Sequence, residues 1–337
     1  MKKIKCIPVL SFFFACVIVL YHADYIIEAV SDADLAINNF MLTLNGRLAE
    51  IALSYFFGVT GFLLFRNMSS LKSCLEKMKR RVSSLLLPYL FWQLLTVVLF
   101  LLTRRYRTRA ALVGCLKAIF LLQNYPPDIP LWYLYTVFLW TLLSPLLFLL
   151  LKNRRLGFAL LLLMDIGLFF LMNDPRCKSV SGCGIVWLTL RYTFPYLSGA
   201  FYGLHFPDPR DRDSLKYIGF SLIFAYALSS LSLRDFKISV LLAAFPILIL
   251  KYFPERLCRD KKLYHCSFIL MAIHYPIYQL ILDQIEGVKI TGIPASLVST
   301  LFRFAFLIGT TALSYGILVL LSRFTPRFCK LITGGRA

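Results

Sequence analysis

Apolar runs long enough to cross a bilayer recur along almost the whole chain, separated by short polar loops. A helix rises ~1.5 Å per residue, so about 20 apolar residues cover the hydrocarbon. Windows of that kind cover 7–27, 46–66, 84–103, 130–151, 156–172, 186–204, 215–232, 237–252, 265–284 and 294–322. The expected fold is an all-α, polytopic transmembrane helical bundle of about ten spans, one integral membrane domain over residues 1–337. There is no solenoid-type repeat, low-complexity tract or soluble domain.

Charge in the loops sets the orientation. Lys2, Lys3 and Lys5 precede the first window, and Lys72, Lys77, Lys79, Arg80 and Arg81 follow the second. Lys152, Arg154 and Arg155 follow the fourth, Arg256, Arg259, Lys261 and Lys262 the eighth, and Arg323, Arg327 and Lys330 the last. Cytoplasmic loops collect Lys and Arg, so these groups share one side if both termini are cytoplasmic. Segment 28–45, with Glu28, Asp32 and Asp34, then lies outside. Arg104, Arg105, Arg107 and Arg109 conflict with this scheme, because they also fall outside. The next stretch, 110–122, is too short to span and reads as an interfacial or re-entrant helix before an outward Pro126–Pro130 turn. The basic start resembles a signal peptide, but its apolar run is long enough to span, so an uncleaved first helix is expected.

Composition agrees. Of 337 residues 59% are hydrophobic, against about 45–50% for a soluble domain, and mean hydropathy is +0.72. Aromatics make up 15%, as interfacial belts require. The net charge of +20 would suggest nucleic acid in a soluble protein; gathered in short loops, it is a topology signal instead. The nine cysteines follow no metal spacing. Cys177 and Cys183, six apart in a polar loop, are candidates for a disulfide if that loop faces an oxidising compartment.

Ionisable residues inside apolar runs carry the functional signal, because hydrocarbon penalises them by a few kcal/mol or more. The set is His22, Asp24, Arg47, Glu50, Asp165, Arg191, Lys251, His274, Asp283 and Arg303. His22 lies about 22 Å past the start of its helix, towards the outer half. Metal ligand, proton relay, general base and satisfied core residue are all open to it. Arg47 and Glu50, three apart, pair with each other or lie beside His22. Arg191 needs a partner or an anionic ligand. His274 precedes Pro276, which kinks its helix and frees a carbonyl for hydrogen bonding. The run Lys77-Met78-Lys79-Arg80-Arg81 fits either topology alone or phosphate binding at a cytoplasmic mouth.

Several stretches, in order, resemble the acyltransferase family 3 membrane proteins. Phe14–Asp24 (FACVIVLYHAD) resembles the family's first helix, which ends in a valine-rich run and a histidine. Tyr55–Phe65 (YFFGVTGFLLF) is similar to its FF-x-x-SG second helix, and Lys79–Trp92 (KRRVSSLLLPYLFW) to its basic stretch and Pro-Tyr helix start. Leu131–Leu146 is similar to its Leu-Trp-[FY]-Leu signature, Ser198-Gly199 to its Gly-bearing helix, and Ser267–Ile277 (SFILMAIHYPI) to its H-x-P stretch. The end, Pro326–Arg336, resembles members grouped with fucose 4-O-acetylases. Three positions depart: Ser11 stands where members carry an arginine eleven residues before the histidine, and Ser83 and Ser84 stand where a further basic residue is common.

The resemblance implies an O-acyltransferase of a bacterial inner or plasma membrane. It would move an acyl group, usually acetyl, from cytoplasmic acyl-CoA (acetyl-CoA) to a hydroxyl of a surface polysaccharide or lipid-linked sugar. His22 would be the general base, Lys79, Arg80 and Arg81 would bind CoA, and Arg47, Glu50, Arg191 and His274 would line the acceptor side. The expected partners are the lipid bilayer, acyl-CoA and the sugar-containing acceptor, with no metal and no nucleic acid. A proton-coupled flippase of a glycan precursor and a catalytically silent envelope-assembly partner are the competing classes.

Overall fold

The computed structural model describes residues 4–23, 31–103, 105, 109–121, 125–173, 184–229, 236–285 and 292–335. Among these, every regular element is helical: α1 (Ile7–His22), α2 (Asp32–Phe65), α3 (Leu71–Leu102), α4 (Arg109–Leu121), α5 (Trp132–Leu142), α6 (Ser144–Leu151), α7 (Arg154–Asn173), α8 (Gly184–His205), α9 (Ser214–Ser229), α10 (Phe236–Tyr252), α11 (Ser267–Ile285), α12 (Ala295–Phe324) and α13 (Pro326–Ile332). Among the described residues four helical runs are long and apolar enough to cross a membrane: α2, α3, Lys262–Ile285 (α11 with the 3₁₀ turn before it) and α12. A fifth is added if α5 and α6, bent by 60° at their junction, count as one span. The window expected at 130–151 is therefore broken. Leu143 joins the two helices, and Pro145 occupies the first turn of α6, where its missing N–H is tolerated. α1, α9 and α10 are apolar but shorter.

Within segment 28–45 the described residues are largely helical: α2 begins at Asp32, behind a Ser31 cap whose hydroxyl accepts from the Asp34 amide at 3.2 Å. Asp34 is buried, and its carboxylate accepts from the Ala295 and Ser296 amides at 2.8 and 2.9 Å. An acidic group is favoured at a helix N-terminus, where backbone donors lack partners. Asp34 thereby caps α12 across 261 residues of chain.

The Pro126–Pro130 turn packs into the bundle. Pro126, Pro127, Asp128 and Pro130 are all buried, and a 3₁₀ turn over Ile129–Leu131 leads into α5. Gln93 of α3 holds the segment: its side-chain amide donates to the Asp128 carbonyl at 3.0 Å and accepts from the Asp128 N–H at 3.0 Å. Buried non-helical backbone needs such satisfaction inside a bilayer. Proline-rich composition signals a turn, but not which way the turn faces.

α2 packs most extensively on α8, and small residues allow it. A Cβ placed on Gly199 would lie 1.9 Å from the Gly58 carbonyl oxygen, and one on Gly203 would lie 2.3 Å from that of Phe62. Gly199 and Gly203 form a GxxxG pair, the pattern that lets transmembrane backbones approach closely. Phe57 and Tyr192 stack beside the crossing, with centroids 5.3 Å apart and planes at 4°.

The two ends of the bundle differ. At one end, Arg66 donates to the Pro207 carbonyl at 2.7 Å, Arg154 lies over the Phe206 ring at 4.3 Å, and Arg210 pairs with Glu255. α13 joins α3 there through a Trp92 Nε1–Ile332 carbonyl bond of 2.9 Å. At the other end, Arg105 pairs with Asp283 at 2.8 Å and also bonds Gln279. The Arg105 charge therefore has a counter-charge on α11. Arg104 and Arg107, like Asp24, Cys177 and Cys183, lie outside the described residues.

Two outcomes test this account. Gly199→Leu should lower the thermal midpoint in detergent, because over-packing a close crossing costs about 1–3 kcal/mol or more. Gly167→Ala, with nothing within 4 Å of the new methyl, should not lower it. Gln93→Ala should destabilise by about 1–3 kcal/mol by leaving the Asp128 N–H unpaired in the interior. Equal midpoints for Gly199→Leu and wild type would refute the close-crossing account.

Candidate active site

A cavity of about 850 Å³ opens among α1, α2, α3, α5 and the start of α11. Its α2 wall runs from Leu53 to Arg66, a rise of about 20 Å. Arg66, Lys77, Arg80, Arg81 and His265 line one end. Gly334 and Gly335 line it too, with φ of 61° and 73° that L side chains rarely adopt. Leu53, Phe56, Leu131 and Met271 line the opposite, apolar end.

The cations at the mouth are not equivalent. Lys77 binds the Leu64 carbonyl at 3.2 Å and that of Arg66, which ties the α2–α3 connection together. Arg66 is directed to Pro207, as described, and Arg80 Nε reaches the Glu76 carbonyl at 3.4 Å. The Arg81 guanidinium, half-buried in the wall, has no hydrogen-bond or ion-pair partner among the described residues. It sits within electrostatic range of the Tyr133 and Tyr196 hydroxyls. Lys79 is exposed and lies off the cavity wall.

Hydroxyls line the middle of the cavity. Tyr133 donates to the Phe56 carbonyl at 3.1 Å and is 2.5 Å from the Thr60 hydroxyl, which is then the donor of that pair. Ser11, where the family pattern has arginine, lies 3.4 Å from the buried Tyr55 hydroxyl. The α1 wall of the cavity is therefore neutral at that level.

Beyond the apolar end lie the two histidines singled out in the sequence. The rings of His22 and His274 have centroids 5.4 Å apart, and Tyr275 flanks His22 at 5.7 Å. α1 meets α11 here through Ala15, Val19 and Ala23 packed with Leu270 and Tyr278. His274 is fully buried, and its Nδ1 lies 3.0 Å from the Leu270 carbonyl. A carbonyl only accepts, so Nδ1 carries the proton and Nε2 of the neutral ring is an acceptor. Nε2 has no partner. The hydrogen bond expected at the proline kink is thus made to Leu270, one turn below His274, and not to the Ala272 carbonyl that Pro276 leaves without a donor. Met271, three residues before His274 on α11, links cavity and histidines: it lines the one and packs on the cluster around the other.

Arg47, Glu50 and Arg191 form one ion cluster. Glu50 accepts from Arg47 at 3.2 Å and pairs with Arg191 on α8. The partner that Arg191 demanded is a protein carboxylate, and two guanidiniums share it. Tyr192 lies within electrostatic range of Tyr21, so the cluster sits beside the end of α1 that carries His22.

Sequence reasoning missed Tyr55, Tyr133 and Gln93. The tyrosines were visible inside the second-helix and Leu-Trp-[FY]-Leu stretches, yet nothing in an apolar string separates a cavity wall from a lipid-facing ring. Of the remaining ionisable set, Lys251 binds the Asp211 carbonyl, Asp283 holds Arg105, and Asp165 and Arg303 are buried with interactions inside the bundle.

No curated protein and no solved structure matches the chain. The family model described as an acyltransferase domain matches residues 6–319, which contain the cavity's α1, α2, α3, α5 and α11 walls and both histidines. The chain belongs to acyltransferase family 3.

Proposed function

We propose that this membrane acyltransferase moves an acetyl group from cytoplasmic acyl-CoA to a hydroxyl of a surface or lipid-linked sugar. The observation that carries the reading is a cavity with a basic mouth whose far end stops one helical turn from the buried His274, whose ring packs on that of the half-buried His22. Its length and polarity suit a nucleotide thioester, with phosphates at the mouth and the uncharged pantetheine arm inside. Arg81, partly buried and without a protein counter-ion, is the leading phosphate ligand, and Arg80 stands beside it. Guanidinium forks match phosphate oxygens. Lys79, off the wall, adds only to the positive field at the mouth.

His22 acts as general base. It takes the acceptor hydroxyl proton as the oxygen attacks the thioester carbonyl, and the C–S bond then breaks. The departing thiolate takes that proton back from the imidazolium, so ester and CoA thiol form with no net proton change. His274 acts through His22: its neutral ring packs 5.4 Å from the His22 ring and helps to hold that imidazole in place. The Arg47–Glu50–Arg191 cluster lies on the acceptor side. Closure of apolar helices around the thioester excludes competing water, and holding both reactants adds a large proximity term.

About ten spans with both termini cytoplasmic fit this reading, in a bacterial cell membrane. The basic mouth then faces cytoplasmic CoA, and Arg105 stands at the outer end, its charge matched by Asp283.

His22→Ala should reduce acylation of surface glycans at least ~100-fold in cells, with the protein still inserted. Unchanged acylation would eliminate His22 as the base, and build-up of unmodified precursor on the cytoplasmic face would favour transport. Arg81→Ala should raise the KM for acetyl-CoA about tenfold or more with kcat nearly constant, as loss of a charge-assisted contact predicts. Arg105→Cys should react with an impermeant thiol reagent added outside; reaction only from the cytoplasm would overturn the topology.

A further inference from the structure

The cavity's closed end bears on which acyl group is carried. Phe56 of α2 and Met271 of α11 line that end, and the same two side chains pack on the apolar cluster of Ala15, Val19, Ala23, Leu270 and Tyr278, formed by the helices that carry His22 and His274. Met271 precedes His274 by three residues on one helix, so the wall stands about one turn below the histidine level. Phe56 is braced by Tyr55 and Tyr133, with ring centroids 5.5 and 5.9 Å away, and the Tyr133 hydroxyl fixes the Phe56 carbonyl. Its ring is therefore held from two sides. Met271, unbranched and flexible, is the adjustable half of the wall.

We infer that Phe56 and Met271 set the acyl-chain limit, admitting a thioester with a short acyl group and excluding longer chains. This rests on the reading of the cavity as the acyl-CoA site. A thioester seated with its phosphates at Arg81 presents its acyl end to these two side chains. An acetyl group ends there. Each further methylene must displace the Phe56 ring or the Met271 thioether, and over-packing a braced wall is unfavourable by roughly 1–3 kcal/mol. Pocket discrimination of about 10–200-fold per methylene-sized change follows.

The test is binding of CoA, acetyl-CoA and hexanoyl-CoA to purified full-length protein, with wild type, Met271→Ala, Phe56→Ala and Met271→Leu compared. Wild type should prefer acetyl-CoA over hexanoyl-CoA at least tenfold. Met271→Ala should bring the two within about threefold, chiefly by tightening hexanoyl-CoA. Met271→Leu, which conserves volume, should keep the wild-type preference. Phe56→Ala supplies an independent readout if Met271→Ala does not fold. A wild type that binds CoA but ignores chain length, or truncations that leave the preference unchanged, would overturn the inference alone. Absence of binding by CoA and both thioesters would instead remove the reading of the cavity on which it rests.

Discussion

The structure depends on the backbone contact between α2 and α8. In lipid there is no hydrophobic drive for one apolar helix to meet another, so close packing must come from small residues. The Gly58–Gly199 crossing supplies it, and α2 then organises everything around itself. Its start gives Asp34 to the N-terminus of α12, its middle gives Glu50 to Arg191, and its last third forms a wall of the cavity. Moving α2 by the width of one methyl group would disturb all three. Site geometry and fold stability are for that reason one problem in this chain.

A second constraint shapes the polar interior. Each buried backbone group in the bilayer needs a partner, and a non-helical, proline-rich segment offers few of its own. Gln93 resolves this with one amide that acts as donor and acceptor to the same residue. The segment so held carries Pro130 and Leu131 into the cavity wall. A polar residue deep in α3 thus serves the site without touching its chemistry, which is the reason for a glutamine amid leucines there.

Much of the architecture was legible because hydropathy and loop charge are one-dimensional signals. The apolar parts of α2, α3, α11 and α12 follow from them directly, although α2 and α3 begin well before the windows at 46–66 and 84–103. His22 and His274 stood out because ionisable groups in lipid are costly, and both belong to one ring cluster. Their adjacency was not legible: about 250 residues separate them, and no spacing rule links α1 to α11. The burial of the Pro126–Pro130 turn was not legible for a related reason. Turn chemistry identifies a change of direction, whereas burial depends on a partner such as Gln93 elsewhere in the chain. Lys79, Arg80 and Arg81 read as one basic run, but on a helix adjacent residues face about 100° apart. Only Arg80 and Arg81 reach the cavity wall, and only Arg81 is partly buried in it.

That division within the basic run bears on how a charged donor reaches a reaction level inside lipid. Lys77 and Arg66 are tied to carbonyls and so close the α2–α3 connection, which leaves the Arg81 guanidinium facing the cavity. Above it the wall turns neutral: Thr60 and Tyr133 bond to each other, Ser11 lies against Tyr55, and the end is apolar. An arginine at position 11 would carry positive charge deeper. With serine there, the favourable field for phosphate is confined to the mouth, and a nucleotide drawn further in would lose it while also losing hydration. Under the proposed function, this gradient stops the charged part of the donor at one level and leaves the uncharged arm to reach the next. Register between thioester and His22 would then be set by the distance from Arg81 to Met271, a length fixed by the α3 and α11 backbones.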